Sequence, residues 1–118
     1  MTYDSNNIFA KILRGEIPCK KVFENEFCLA FHDIVPEAPV HVLVVPKSEC
    51  TSFDDFAMVA TPEFMHGFFG SVQKVAEILG LPESGYRVVS NHGADASQSV
   101  AHFHIHILGG KNLGRLLP

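Results

Sequence analysis

The sequence lacks the features that identify membrane proteins and nucleic-acid-binding proteins. No apolar run approaches the roughly 20 residues that a membrane-spanning helix needs, so we expect no membrane partner. Basic residues are few: Lys and Arg number 9 against 13 Asp and Glu, which gives a net charge of −4. Because a protein that binds DNA or RNA non-specifically carries a basic surface, we also expect no nucleic-acid partner.

Cysteine is scarce as well, and its spacing is typical of a reducing compartment. The three cysteines, Cys19, Cys28 and Cys50, form no CxxC pair, and an odd number cannot complete a disulfide framework. Residues 1–7 are polar and lack the basic start of a secretory signal. We therefore expect a cytoplasmic protein.

Five segments have the composition of β-strands in a chain whose length indicates one domain, 1–118. The predicted strands are 21–24, 28–32, 40–45, 85–90 and 103–108. Segment 51–62 has a mixed composition, which predicts a loop with at most one turn of helix. The order of elements predicts an α+β fold with a mostly antiparallel five-stranded sheet, one long helix and one short helix.

The two predicted helices differ in length. The short one lies within 7–15, with Asp4, Ser5 or Asn6 as its cap. The long one covers 62–79 and has apolar residues at spacings of three and four. Its apolar face and an exposed edge strand predict a homodimer, since together they leave more apolar surface than a monomer of this size shows.

Histidine is the residue type that is abundant, with seven copies against two tyrosines and no tryptophan. Three of them, His102, His104 and His106, alternate with apolar residues. On a strand, alternate residues point to one face, so the three imidazoles share a face and the apolar residues between them face the core. His41 starts another apolar run, where a nonpolar residue would cost less to bury.

Three interpretations of this histidine run remain open. The imidazoles could be solvated, or satisfied by hydrogen bonds within the core. They could bind zinc, with His41 as a further ligand. They could also catalyse a reaction at phosphorus, because a neutral imidazole is a good nucleophile and its neighbours can act as acid and base near pH 7.

The histidine run also resembles a known family. Residues 102–108 match the His-φ-His-φ-His-φ-φ motif, where φ is an apolar residue, of the histidine triad (HIT) superfamily, and nearly the whole chain is similar to its Hint branch. The resemblance is weakest at 48–64 and after 111. The further matching segments are 8–12, 16–18, 30–34, 36–41, 46–47, 85–87, 91, 93, 98–100 and 109–110.

The resemblance implies a fold, an assembly and an activity. It implies a HIT fold whose five-stranded sheet pairs with that of an identical chain to give ten strands. It implies a purine mononucleotide pocket and, for the Hint branch, hydrolysis of the P–N bond of AMP amides, such as AMP-lysine and adenosine 5'-phosphoramidate, without a metal or other cofactor. Alternatives are a dinucleoside polyphosphate hydrolase of the same superfamily and a nucleotide-binding adaptor with incidental catalysis.

The same resemblance implies catalytic roles for five residues. His104 would be the nucleophile that takes the nucleotidyl group. His106 would contact the phosphate and assist the leaving group, while His102 and His41 would orient the triad and share a proton. Ser99 would donate to the bridging or leaving atom.

Substrate-binding roles are implied for a second group of residues. Asp33 would accept the ribose hydroxyls, and Asn91 would bind a phosphate oxygen or orient its loop. Ser97 and Gln98 lie in the loop 93–99, whose amides would cradle the phosphate; relatives usually have glycine near Ser97. The apolar slot for the base would consist of Phe9, Ile12, Ile17, Phe31, Ile34 and Leu43.

Overall fold

A single five-stranded sheet organises the protein in the computed structural model, which describes residues 2–117. Its strands are β1 (Lys21–Glu24), β2 (Cys28–His32), β3 (Val40–Pro46), β4 (Tyr86–Val89) and β5 (Ile105–Gly109). They lie in the order β1-β2-β3-β5-β4, and every neighbouring pair is antiparallel. The predicted α+β class is therefore confirmed.

Three α-helices accompany the sheet, one more than the sequence predicts. They are α1 (Ile8–Leu13), α2 (Phe53–Val59) and α3 (Pro62–Ile78). The prediction of a loop over 51–62 is wrong, because Ser52 and Asp55 form a capping box at the start of α2. The burial of Phe56 in the core then stabilises this short helix.

Two predicted boundaries also shift for local reasons. The side chain of Asn7, rather than that of Asp4, Ser5 or Asn6, caps α1 by accepting the amide of Ala10. Strand β5 begins at Ile105 instead of residue 103, since the amide of Phe103 donates to the carbonyl of Cys50 and not to a neighbouring strand.

The two faces of the sheet have different partners. On one face, Phe103, Ile105 and Ile107 join the main core beneath α3, as the alternating pattern predicts. The other face carries His41, with His104 and His106, and we call it the histidine face. A second apolar cluster covers part of the histidine face; it comprises Phe9, Leu29, Phe31, Leu43 and Val45.

Helix α3 buries its apolar face within its own subunit. Phe68, Val72 and Val75 on this helix are buried against the sheet. The expectation that this face stays exposed for a partner is therefore wrong, and only the edge strand remains as an argument for a dimer. Within residues 2–117, no helix is long and apolar enough to cross a membrane.

Two glycines inside α3 provide a matched test of this packing. A Cβ at Gly67 would overlap the ring of Phe27, whereas a Cβ at Gly70 would meet nothing within 4 Å. We expect Gly67→Ala to lower the free energy of unfolding by about 1–3 kcal/mol through overpacking. Gly70→Ala should raise it by about 0.5–1 kcal/mol through helix propensity. Urea denaturation of both variants measures the difference, and equal effects would contradict the packing of α3 on Phe27.

Candidate active site

Strands β3 and β5 bring the histidines together through their register. Leu43 pairs with His106 and Leu108 pairs with His41, so both imidazoles lie on the histidine face. The ring centroids of His41 and His106 are 5.2 Å apart, and those of His104 and His106 are 5.0 Å apart. The antiparallel pairing therefore joins residues that are far apart in the sequence into one imidazole cluster.

The His104 side chain is buried but keeps one nitrogen free. Its Nδ1 lies 2.7 Å from the carbonyl oxygen of His102, and a carbonyl can only accept, so Nδ1 carries the proton of the neutral ring. The lone pair is therefore on Nε2. No buried side-chain nitrogen or oxygen in residues 2–117 lacks a partner. Since Nε2 has no partner among them, it is open to solvent.

The edge of the Phe9 ring packs against the same imidazole. The two ring centroids lie 4.8 Å apart at an interplanar angle of 83°, and His104 is 6% exposed. This apolar contact fixes the ring and excludes water from one side of it. Helix α1 therefore contributes directly to the placement of His104.

A chain of hydrogen bonds fixes the proton positions on two further imidazoles. The amide of Glu37 donates to Nδ1 of His41 at 3.0 Å, so the neutral His41 ring carries its proton on Nε2. That Nε2 lies 2.9 Å from Nδ1 of His106 and donates to it. The neutral His106 ring therefore carries its proton on Nε2, where it can be donated to a substrate.

Burial also sets the charge state of the triad. Desolvation lowers the pKa of His102, of His104 and of His106, because it disfavours the charged form. For His106 the pKa falls from 6.5 to about 4, and the neighbouring imidazoles His104 and His41 add to the effect of burial. All three rings are therefore neutral at pH 7, as a nucleophile and a neutral hydrogen-bond donor require.

His102 differs from the other two histidines of the triad. Its ring is 1% exposed, with Nε2 donating to the carbonyl of Pro46 at 3.0 Å and Nδ1 lying 2.5 Å from the hydroxyl of Tyr3. Both ring nitrogens of His102 are thus hydrogen-bonded to groups other than the His104 and His106 rings. The contact between His102 and His104 runs through the His102 backbone carbonyl.

Asp33 lies next to the relay formed by His41 and His106. Its Oδ2 is 3.4 Å from Nε2 of His41, and its Oδ1 accepts the amide of Val35 at 2.9 Å. The carboxylate is 20% exposed, and it borders a cavity of about 490 Å³. Its remaining lone pairs are available to ribose hydroxyls, so the predicted role of Asp33 stays open and untested.

The ligand atoms of Asp33, His41 and His106 lie within 4.8 Å of one another, which raises the question of a metal. A metal would have to bind Nε2 of His41, because Nδ1 already accepts the Glu37 amide. Nε2, however, carries the proton in this arrangement, and a metal ligand must be deprotonated. The donor set therefore fits a proton relay better than a cation, and the absence of a metal stays a prediction.

The predicted phosphate loop is held by side chains within it. Gln98 donates to the carbonyls of Thr51 and Val100 and accepts the amide of Gly93. Its side chain therefore shapes the loop and is already engaged. Ser97 adopts a left-handed conformation with φ of +57°, which a glycine would adopt with less strain.

Two other predicted residues of this loop keep accessible side chains. Asn91 is half-buried and Ser99 is exposed. Ser99 directly precedes Val100, which packs against the apolar cluster of the histidine face. The predicted contacts of Asn91 and Ser99 with phosphate are therefore sterically open, and they stay predictions.

Only part of the predicted apolar slot forms one cluster. Phe9, Phe31 and Leu43 belong to the cluster of the histidine face, and Ile12 packs against it. Ile34, in contrast, is 90% exposed at the rim of the 490 Å³ cavity. Ile17 lies in a separate surface groove, with Ile12 and Leu29 among its other lining residues.

Sequence reasoning missed several contributors to the site. The Glu37 amide and the Tyr3 hydroxyl both fix histidine rings, and neither gives a signal in the sequence because both contacts depend on the folded chain. Lys20 and His32 line the cavity beside Asp33. The sequence does carry a signal for His32, since this polar residue ends the otherwise apolar and buried strand β2 in an exposed position.

Known proteins share both this sequence and this fold. A 13.2 kDa HIT-like protein from Azospirillum brasilense is 54% identical over 116 residues, which cover 98% of this chain and 95% of that protein. The structure of a HIT family hydrolase from Clostridium thermocellum is 36% identical, with a TM-score of 0.88, and the match covers 98% of this chain and 99% of that chain. A histidine triad nucleotide-binding protein from Candida albicans is 33% identical, with a TM-score of 0.77, over 86% of this chain and 73% of that chain.

The family profile agrees with these relatives. The HIT domain profile matches residues 14–113, a range that contains all five strands, the histidine cluster and the loop that precedes it. Both the hydrolase and the nucleotide-binding protein therefore share with this chain the fold that carries the three histidines. On this sequence match and this geometry, the chain belongs to the HIT domain family.

Proposed function

We propose that this HIT protein is a purine nucleoside phosphoramidase of the Hint type. Its substrates are AMP amides, such as adenosine 5'-phosphoramidate and AMP-lysine, and the reaction passes through a nucleotidyl-histidine intermediate. The hydrogen bond from Nδ1 of His104 to the His102 carbonyl supports this most directly, because it leaves a neutral, solvent-accessible Nε2. Such a nitrogen is a competent nucleophile toward phosphorus.

In the first step Nε2 of His104 attacks the α-phosphorus. A bond forms between this nitrogen and phosphorus, and the P–N bond to the amine breaks. The leaving nitrogen takes up one proton from solvent, and the Nε2–H of His106 lies on the same face of the sheet, where it can hydrogen-bond to the reacting groups. An amine is a poor leaving group without that proton, so a hydrogen-bond donor beside the nucleophile favours P–N cleavage.

In the second step water releases the nucleotide. The water oxygen bonds to phosphorus while the bond to Nε2 of His104 breaks, and the water releases one proton to solvent, which balances the proton taken up in the first step. The Glu37 amide and His41 keep Nδ1 of His106 an acceptor, so its Nε2–H remains the group that faces the substrate. The products are the free amine and AMP.

The cavity and the apolar cluster support a nucleoside as the group that is bound. Asp33 offers carboxylate lone pairs at the rim of the 490 Å³ cavity, where ribose hydroxyls can donate. The rings of Phe9 and Phe31 pack edge to face 5.8 Å apart and are almost fully buried, so they form an apolar backing to the histidine face beside which the purine would bind.

We further propose that the protein works as a homodimer, and the two edges of the sheet support this. β1 is protected: Lys21 pairs with Glu24 at 3.1 Å, and a register irregularity follows Lys21. β4, in contrast, presents the exposed apolar residues Tyr86 and Val88. Pairing of two β4 strands about a twofold axis would give a ten-stranded sheet.

We also propose a cytoplasmic location. The three cysteines, Cys19, Cys28 and Cys50, are free thiols, as expected in a reducing compartment.

The proposed dimer predicts that a charge introduced on β4 weakens the association of the two subunits. Val88→Glu places two like charges across a twofold interface, so we expect it to shift the protein from dimer to monomer. Met58→Glu, at an exposed apolar residue of α2 away from the edge, should leave the dimer intact. Sedimentation velocity at micromolar concentration measures both variants, and a monomeric parent protein would rule the dimer out.

Replacement of the nucleophile should separate catalysis from binding. His104→Asn keeps an N–H near the His102 carbonyl but has no nucleophilic nitrogen, so we expect phosphoramidate turnover to fall by at least about 10³-fold. AMP affinity and melting temperature should stay near those of the parent protein. His66→Asn, at an exposed imidazole on α3, is the matched control and should keep full activity.

A kinetic panel then decides between the proposal and its alternatives. Faster turnover of dinucleoside polyphosphates than of phosphoramidates would favour the polyphosphate hydrolase. AMP binding without turnover in the parent protein would favour the adaptor. Full turnover by His104→Asn would show that the nucleophile is assigned wrongly.

The lowered histidine pKa values predict the acid side of the rate profile. Attack requires neutral His104, and burial lowers its pKa below 6.5. We therefore expect kcat/KM to hold between pH 7 and pH 6.5 and to decline only at lower pH. The apparent pKa belongs to the coupled imidazoles as a group. Single-turnover rates, which do not depend on product release, provide the measurement, and an acid limb above pH 6.5 would contradict the burial of this ring.

A further inference from the structure

Tyr3 reaches the histidine triad from outside the sheet. Its hydroxyl lies 2.5 Å from Nδ1 of His102, and the two ring centroids are 5.5 Å apart at an interplanar angle of 68°. Tyr3 is half-buried, whereas His102 is 1% exposed. The contact joins residues 99 positions apart in the sequence.

The segment that directly follows Tyr3 is anchored to the start of helix α1. The carbonyl of Asp4 accepts the amide of Asn7, and Nδ2 of Asn7 donates to the same carbonyl. The Arg14 guanidinium donates to the carbonyl of Ser5 at 2.8 Å. These contacts tie residues 4–7 to helix α1, which itself packs against His104 through Phe9.

The directions of the hydrogen bonds at His102 are determined. The carbonyl of Pro46 can only accept, so Nε2 of His102 carries the proton and Nδ1 bears the lone pair. The Tyr3 hydroxyl is therefore the donor to Nδ1. Burial raises the pKa of Tyr3 above its ordinary value of 10, so its hydroxyl is protonated and able to donate at neutral pH.

His102 accepts the Tyr3 hydroxyl through its ring and also accepts a hydrogen bond from the proposed nucleophile, His104, through its carbonyl. The His102 carbonyl accepts the Nδ1–H of His104 at 2.7 Å, which keeps the lone pair of His104 on Nε2. Without the Tyr3 hydroxyl, Nδ1 of His102 would be a buried acceptor with no partner. A buried acceptor without a partner is unfavourable, so the ring would shift or change its proton position and move the carbonyl that fixes His104.

We propose that Tyr3 is a positioning residue of the active site, which acts through His102 to hold the His104 imidazole in its nucleophilic orientation. The kinetic consequences of this inference rest on the proposed function. The proton position and hydrogen bonding of the His102 ring do not depend on it. The hydroxyl takes no part in bond making or breaking. Its effect falls on the rate of the chemical step and not on the affinity for the nucleotide.

The test is removal of one oxygen atom. Tyr3→Phe keeps the ring, so we expect kcat for adenosine 5'-phosphoramidate to fall on the order of tenfold, since small displacements of a reacting group are costly. KM and AMP affinity should be unchanged. Tyr86→Phe is the matched control for loss of a tyrosine hydroxyl, because the chain has only these two tyrosines. Tyr86 lies on β4 at the proposed dimer edge, so sedimentation velocity is used to check that the control has the oligomeric state of the parent protein. The control should have the parent kcat.

Nitrogen-15 NMR of the histidine rings provides a second measurement that needs no substrate. In the parent protein, Nδ1 of His102 should resonate as an unprotonated nitrogen that accepts a hydrogen bond. In Tyr3→Phe the same nitrogen should shift toward the value of a free imine nitrogen or show exchange between the two tautomers. Tyr86→Phe should leave the resonance unchanged.

A double-mutant cycle shows whether Tyr3 acts through His102. In a His102→Leu background, Tyr3→Phe should cause no further loss of kcat. A full additional loss would overturn the inference, as would a Tyr3→Phe protein with the parent kcat and the parent His102 resonance. If the parent protein hydrolyses no phosphoramidate, the proposed function fails, and the NMR result alone decides whether Tyr3 positions His102.

Discussion

The active site depends on one hydrogen bond, the donation from Nδ1 of His104 to the carbonyl of His102. Because a carbonyl can only accept, this bond fixes both the orientation of the ring and the nitrogen that carries its lone pair. Alternation along residues 102–106 then places His106 on the same face. The neighbouring antiparallel strand β3 adds His41 to this face.

Main-chain groups fix the proton positions of all four imidazoles. The Glu37 amide determines the proton of His41 and, through it, that of His106, while the Pro46 carbonyl determines that of His102. Main-chain groups cannot change their donor or acceptor character, so the pattern does not depend on ionisation elsewhere. Burial keeps the triad neutral, and the two effects together leave His104 as the one ring of the four with its proton on Nδ1 and its lone pair on Nε2.

The sequence predicts those parts of the site that follow from local periodicity. Alternation is sufficient to separate the faces around His104, and the number of strands and their succession along the chain follow from the composition of the segments, whereas their order in the sheet does not. Contacts that cross the fold leave no such signal: Tyr3 meets His102 only because α1 folds over the sheet. Helix α2 was missed because its stability depends on a capping box and on the burial of Phe56, not on a long apolar period.

The short length of helix α1 has a consequence for local unfolding at the site. It has six residues, too few for a helix to be stable alone in water, so it depends on the buried side chains of Phe9 and Ala10. The sheet, by contrast, is held by ladders on both sides of β3. The proposed nucleotide site would therefore be bounded by the stable sheet and by a wall, α1, whose local unfolding costs less free energy than global unfolding. Ligand that packs against Phe9 would close this wall, and hydrogen exchange at the α1 amides would report occupancy of the site.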